Sequence, residues 1–501
     1  MTDLCGLPDE LLLAVAKCLR DDSKNGYSDL NHLALSCRKL RPIAQEVLYT
    51  EVSTDPTPKR SLGNLARTLL QRPDLAKIVR KLNIELSGMP LTHHQSCVSW
   101  GWHYEEGEEN CTCGIPEIVT LFQGFASTVS SRNGVPLHNE GWKDMLMGGG
   151  DMALIGLILC VTPALSDLTL MVWDWPRYDD SDDQNVAWTE LEEAFEVITR
   201  EMDLADCFQG LSSLKRLCTD GYPPFSWLSL PRLEAARINL FEDADYDNKM
   251  ISQITPGATV PTTLTRLVIQ PAFQALYSHD ATHMDGMYGH MRSVVRGLTN
   301  LTHLFILYRT IIDPYDRFDP PNTPRGSFAH LESRSLTDLT LDVEPALKDL
   351  VRYITMIEYI HDTTPMTTFA GLPRLRNLNA PQDAFFSTKY EFRTCHLPIT
   401  IESISIMDAT YESKPYLKHL LDRQTELPNL KLIKLGVDEY IGQPGHPDGS
   451  NDDASESGEG ERRKVIGVEN SIAERARRSG LRVEKVQNRT AWKKEWEGLG
   501  L

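Results

Sequence analysis

Leu301-Thr302-His303-Leu304-Phe305-Ile306-Leu307 is the stretch from which the fold can be read. After a leading leucine, Leu304 and Ile306 alternate with His303 and Phe305, which is the period of a strand with one buried face. The same spacing returns along the chain as Val79-x-x-Leu82-x-Ile84, Leu165-x-x-Leu168-x-Leu170, Leu214-x-x-Leu217 and Leu264-x-x-Leu267-x-Ile269. Further copies are Leu336-x-x-Leu339-x-Leu341, Leu375-x-x-Leu378, Ile401-x-x-Ile404-x-Ile406 and Leu430-x-x-Ile433-x-Leu435, with a looser copy at Leu233–Leu240 and a terminal one at Leu481–Val486. Leu-Pro pairs at 230, 372, 397 and 427 introduce several of them.

Between the strands lie stretches of helical period, such as Trp188 to Ile198, Met284 to Val294 and Leu347 to Ile357. Strands alternating with helices make an α/β fold with parallel strands. The repeated unit resembles the leucine-rich repeat in outline, which implies a solenoid with strands on one side and helices on the other. The likeness is irregular. Successive leading leucines from Leu264 to Leu375 stand 37, 35 and 39 residues apart, against roughly 20–29 in that family. Arg309 and Glu344 occupy the place where its asparagine usually ends the strand motif. An unrelated α/β fold is the alternative. The expected array runs from residue 60 to 498, with Leu168, Leu267, Leu304, Leu339 and Ile433 buried in register.

Two segments interrupt this pattern. Residues 87–115 have little apolar periodicity and read as a flexible insertion. Residues 443–461 are Gly, Ser, Asp and Glu with almost nothing apolar, so they cannot offset their ordering entropy and read as a disordered loop. The whole chain has 501 residues and a formal charge of −19, which argues against a general nucleic-acid-binding surface. Residues 1–6 lack the features of a signal peptide. The longest apolar run, Met152–Val161, is far short of the ~20 residues of a membrane span. Ten cysteines scattered through such a length make no disulfide framework. A soluble protein of the cytoplasm or nucleus is expected.

The first fifty residues differ in kind from the rest. Leu7-Pro8-Asp9-Glu10-Leu11 opens a helix: proline suits a first turn and the two acids suit the positive end of the dipole. Leu7, Leu11, Val15 and Leu19 recur every four residues, with Leu12 and Cys18 widening the stripe. Asp21 to Tyr27 reads as a loop, a second helix starts near Ser28-Asp29, and a third runs from Pro42 to Tyr49. Three helices this short cannot close a core alone. Part of their apolar face needs a partner or the following domain.

The order Leu7-Pro8-x-Glu10-Leu11, Val15, Leu19, then Asp29-Leu30, Leu33 and Leu35-Ser36-Cys37-Arg38, ending in Leu48-Tyr49, resembles the F-box of fungal type. The loop from Asp21 to Ser28 is longer than that family's usual turn. The resemblance implies a module over residues 5–50 that docks onto the Skp adaptor and, through it, a cullin scaffold. It implies adaptor contacts by Leu7, Pro8, Glu10, Leu11, Val15, Leu19, Leu30, Leu33, Leu35, Cys37 and Arg38. Pro8 and Leu11 are expected outermost, Leu33 and Leu35 next. A plain helical cap on the array is the alternative.

Other motifs carry less. His93, His94, Cys97, His103, Cys111 and Cys113 fall close together, but Cys111-x-Cys113 has a single residue between thiolates where structural zinc sites usually show about two to four. Glu242-Asp243-x-Asp245-x-Asp247 has Asn248 and Ile254 where a calcium loop needs Gly and Glu. Gly148–Gly150 lacks the Gly-Lys-Ser/Thr of a phosphate cradle. No metal, cofactor or catalytic constellation is expected. Trp173-Asp174-Trp175-Pro176-Arg177 ends a strand, and aromatics with an arginine are common binding hot spots. Trp173, Trp175 and Arg177, with Arg309, are the candidate substrate contacts; packing of both tryptophans beneath the insertion is equally open. The expected function is therefore substrate recognition within a Skp–cullin–F-box ubiquitin ligase, without catalysis by the chain itself. The alternative is a repeat scaffold outside any ligase.

Overall fold

The structure, a computed structural model, describes residues 4–22, 26–54, 60–87, 120–121, 151–173, 209–220, 225–239, 262–270, 289, 291–307, 331–342, 368–387, 393–394, 396–407, 409, 413–436 and 470–486. The fold is α/β, and the chain divides into two compact units, Met1–Glu234 and Ala235–Leu501.

The first unit begins with a 3₁₀ turn at Leu4–Gly6 and helices α1 (Asp9–Asp22), α2 (Gly26–Ser36) and α3 (Leu40–Thr50). Strand β1 (Glu51–Thr54) follows α3 without a linker. Next come α4 (Arg60–Gln71), α5 (Pro73–Ala76), β2 (Lys81–Ser87), α6 (Asp151–Val161), β3 (Asp167–Trp173), α7 (Gln209–Ser212), β4 (Arg216–Asp220) and α8 (Phe225–Leu228). Strands β1 to β4 pair in chain order, all parallel. Pro73 does more than stop the preceding helix: it opens α5, where its missing N–H costs nothing. The apolar run at Met152–Val161 is α6, with Leu154, Ile155, Leu157, Ile158, Leu159 and Cys160 all buried. A helix apolar all round belongs inside, and α6 lies between α4 and α7.

The second unit carries β5 (Ala235–Asn239), β6 (Arg266–Gln270), β7 (His303–Leu307), β8 (Asp338–Asp342), β9 (Asn377–Pro381), α9 (Gln382–Phe385), β10 (Phe386–Ser387), β11 (Arg393–Thr394), β12 (Ser403–Met407), α10 (Ser413–Asp422), β13 (Leu432–Gly436), α11 (Asn470–Arg478) and β14 (Arg482–Val486). Residues 291–297 are helical and bury Met291, Val294 and Val295. Strands β5, β6, β7, β8, β9, β12, β13 and β14 pair in that order, all parallel. β10 and β11 form a separate antiparallel pair. Gly480 ends α11 with φ of 75°, the left-handed turn a helix terminus commonly needs.

Every copy of the leucine motif is a strand, and the apolar positions align across them. One column runs Val52, Leu82, Leu168, Leu217 in the first unit. In the second it runs Ala236, Leu267, Leu304, Leu339, Leu378, Ile404, Ile433, Val483. Leu168, Leu267, Leu304, Leu339 and Ile433 are all buried. Period-2 alternation fixes this register, because a slip of one residue would turn a whole column to solvent.

A second device repeats at the start of several strands. Two successive backbone N–H groups share one carbonyl of the strand before: Thr302 and His303 donate to Thr265 O at 2.9 and 3.0 Å, Thr337 and Asp338 to Thr302 O, and Arg376 and Asn377 to Thr337 O. In the first unit Ser166 and Asp167 fork onto Arg80 O, and Lys215 and Arg216 onto Ser166 O. Hydroxyls reinforce these steps. Thr302 Oγ1 donates to Thr265 O at 3.0 Å, Thr337 Oγ1 to Thr302 O at 3.1 Å, and Ser166 Oγ to Arg80 O at 3.0 Å. Ser213, Ser335 and Thr400 do the same two residues earlier, onto Leu165, Leu301 and Leu375 carbonyls. Small hydroxyl residues thus brace the turns before the strands, adding a side-chain donor to carbonyls on the preceding strand's turn.

Residues 93–113, 242–254 and 443–461, with most of the 87–115 insertion, lie outside the described residues, as do the interstrand segments from Trp188 and Leu347. Among the described residues, no group of three His, Cys, Asp or Glu is arranged to hold a metal ion, and no helix is long and apolar enough to cross a membrane.

Candidate functional site

The N-terminal helices make a small core with an unpaired apolar exterior. Leu12 and Ala16 of α1 meet Leu30 of α2 and Leu40, Ile43 and Val47 of α3. Leu7, Leu13, Leu19, Leu33, Cys37 and Leu48 pack partly against that cluster. The four-residue stripe is therefore split. Leu7 and Leu19 lean inward, while Leu11 (53% exposed) and Val15 (38%) face out, because the inward face of α1 is centred one residue on, at Leu12 and Ala16. Leu35 is 74% exposed, Leu4 and Tyr27 are also exposed, and Pro8, Glu10, Cys18 and Arg38 stand in solvent beside them. Leu30 is fully buried; it holds the three helices together and has no surface to offer a partner.

Helix α2 starts at Gly26, two residues before the expected Ser28. A Cβ at Gly26 would sit 2.5 Å from the Arg20 carbonyl oxygen, so only glycine lets the chain re-enter helix this close to α1. The Leu7-Pro8 turn is held from both sides. Leu7 N–H donates to Leu4 O at 3.1 Å, and the Pro8 carbonyl accepts from Leu11 and Leu12 N–H at 3.1 Å. Lys39 Nζ donates to the Leu7 carbonyl at 3.0 Å and lies 3.8 Å from Asp9.

The module is also tied to the first strand. Glu51 opens β1, and its carboxylate lies 3.5 Å from Arg20 of α1 and 3.6 Å from Lys81 of β2. The Tyr27 hydroxyl donates to the Glu51 carbonyl at 3.4 Å. Burial, and then the Glu51 charge, hold the Tyr27 phenol above its ordinary pKa. Neither Lys39 nor Glu51 stood out in the sequence, since nothing marks a lone lysine or a strand-initial glutamate as a clamp.

The second candidate surface is the sheet face of the second unit opposite the leucine columns. Its first row runs Ala235, Arg266, His303, Asp338, Asn377, Ser403 and Leu432; its second runs Arg237, Val268, Phe305, Thr340, Asn379, Ser405 and Lys434. Polar groups pair along the rows. His303 Nε2 lies 3.5 Å from Asp338, Asn377 donates to Asp338 Oδ1 at 2.6 Å, and Ser403 donates to Asn377 Oδ1 at 2.6 Å. Asn379 donates to Thr340 at 3.0 Å. Thr302 Oγ1 touches His303 Nδ1 at 2.8 Å, but its proton also has the Thr265 carbonyl to serve. Arg237 reaches Gln270 Oε1 through Nε at 3.2 Å and Nη2 at 2.6 Å, and Asn239 Oδ1 through Nε at 3.3 Å. His303, Asp338, Asn377, Ser403 and Thr340 occupy x positions of the leucine motif, the one sequence signal that assigns them to this face, while Asn239 and Gln270 follow its last apolar residue.

Of the residues expected at the substrate site, Trp173 is the last of β3, in register with Ser87 of β2. Trp175, Arg177 and Arg309 lie outside the described residues. A scan against protein-family models finds no match, and a search of curated proteins finds no similar sequence.

Proposed function

We propose that this chain is the substrate-recognition subunit of a Skp–cullin–F-box ubiquitin ligase, with residues 5–50 as an F-box-like dock and the strands that follow as an irregular leucine-rich-repeat-like solenoid. The observation that carries the reading is the exposed apolar set Leu4, Pro8, Leu11, Val15 and Leu35 on a module whose own core is already filled. Large apolar side chains left exposed on so small a module suit an interface, and Pro8, Leu11, Val15 and Leu35 are among those the F-box resemblance assigns to the Skp adaptor. The role is positional: the dock fixes the array, and the array presents a protein substrate to a recruited conjugating enzyme. The chain supplies no catalytic group, and the complex works in the cytoplasm or nucleus.

The direct join of α3 to β1, and the Glu51 contacts with Arg20 and Lys81, also support the alternative that the module is chiefly a cap on a protein-binding scaffold. The test is co-purification of a Skp-family adaptor with the full chain. Leu7 packs partly inward, so Leu11→Asp with Leu35→Asp probes the surface with less damage to the fold. The wild type retains the adaptor and the double variant loses it. A wild-type chain that is folded yet retains no adaptor leaves the scaffold.

A further inference from the structure

On the sheet face of the second unit opposite the leucine columns, two half-buried arginines have no carboxylate partner among the described residues. Arg237 of β5 is half-buried and bonded only to the carboxamide oxygens of Gln270 and Asn239, both of which are buried. Neutral oxygens orient the guanidinium without cancelling its charge, and Nη1 has no partner among the described residues. Arg266 of β6, also half-buried, has no ion pair or hydrogen bond among the described residues. The chain carries 70 carboxylate residues against 51 Lys and Arg, yet among the described residues none pairs with these two cations. Elsewhere in the second unit such a pairing is made, as between Arg376 and Glu402 at 3.6 Å. A half-buried charge without a counter-charge is costly, and the fixed orientation of Arg237 keeps it ready for an incoming anion.

The register gives the spacing. Arg237 lies opposite Val268 and Arg266 opposite Ala235, so the two arginines are diagonal neighbours, about 7–8 Å apart. In an extended chain, residues i and i+2 point the same way and stand about 7 Å apart. The Gln270 contact occupies the Nε side of Arg237, and the remaining Nη end is planar, suited to the coplanar oxygens of a carboxylate.

We propose that this face binds an extended acidic segment of a partner protein through carboxylates at alternate positions, one on Arg237 and one on Arg266. Calling that partner a ligase substrate rests on the function proposed above; the binding itself does not. The array then selects acidic segments although the whole chain is acidic, and long-range repulsion confines them to this face.

The test uses the purified full chain and a fluorescein-labelled peptide with glutamates at alternate positions, followed by fluorescence anisotropy at low salt. The wild type binds, and an otherwise identical glutamine peptide does not. Arg266→Gln weakens binding on the order of tenfold, and adding Arg237→Gln weakens it on the order of tenfold again. Arg266 makes no hydrogen bond or ion pair among the described residues, so the single variant stays folded even where the double variant fails, and circular dichroism checks both. Equal binding by wild type and Arg266→Gln, equal binding of the glutamine peptide, or preference for a single phosphoserine over alternating glutamates each overturns the proposal. Adaptor co-purification is measured on the same variants. Its loss in the wild type with peptide binding intact removes the ligase reading alone, and the reverse removes the acidic-segment site alone.

Discussion

The N-terminal module and the strand columns use the same residue, leucine, to opposite ends. Along the columns each leucine is enclosed by equivalents from the strands on either side: Leu304 lies between Leu267 and Leu339, and all three are fully buried. In α1 and α2 only Leu12 and Leu30 are enclosed to that degree, and Leu11 and Leu35 stand in water. A column is completed by the chain's own next repeat, whereas the face of a three-helix module has no next repeat. What remains open is what something else must cover.

The sharpest way to break this contrast is to shorten one leucine from each region. Leu304→Ala is expected to cost about 2–5 kcal/mol in urea unfolding, the range for a cavity in a packed core. Leu11→Ala, on the open face, is expected to stay within about 0.5 kcal/mol of wild type. Equal losses would mean that Leu11 is structural and the open face illusory.

A next, smaller effect is expected at Gly26. Gly26→Ala sets a methyl against the Arg20 backbone, and relieving that overlap should cost about 1–3 kcal/mol while loosening α2 from α1. Circular dichroism melting reads the loss. A neutral Gly26→Ala would show that the approach of α2 to α1 has slack. In the array the comparable detail is the hydroxyl ladder: Thr302→Val removes the bond to the Thr265 carbonyl and should cost about 0.5–1.5 kcal/mol. No change there would leave register to the backbone forks and leucine columns alone.

The join between the regions is expected to contribute less. Glu51→Gln keeps the shape but removes the charge facing Arg20 and Lys81, and partly exposed pairs are worth about 0.2–1 kcal/mol. The loss should shrink as salt is raised. The smallest effect belongs to His419 in α10, whose pKa is held below the ordinary 6.5 by burial first and then by Arg423. The unfolded chain takes up that proton more readily. The contribution is therefore complete above pH 6.5 and declines as pH falls from there through the lower folded value. His419→Gln should flatten stability over that window, read by melting temperature against pH.

Much of this was legible because strands announce themselves in period two. All eleven leucine motifs became strands, down to the loose copy now seen as β5 and the terminal copy now seen as β14. Within each unit the paired strands neighbour one another in chain order, as consecutive elements commonly do. Strand β1 was not legible: four residues following a helix offer too little alternation to separate from a helix end. The module's three helices were readable from their apolar spacing, but not which leucines turn out, since Leu11 and Leu12 are adjacent and chemically alike. Only packing against Leu30, Leu40 and Val47 decides between them. The arginines of the sheet face opposite the leucine columns were invisible for a related reason. A motif defined by its leucines says nothing of its x positions until the register brings Arg237 and Arg266 onto neighbouring strands.

Hydrogen–deuterium exchange on the full chain, with and without a saturating Skp-family adaptor, tests the central claim most directly. If the open face is the dock, the amides of α1 and α2, residues 9–36, slow on adding adaptor, while those of the columns from β5 to β13 keep their rates. Slowing confined to the columns, or no change anywhere with both proteins folded, would contradict it.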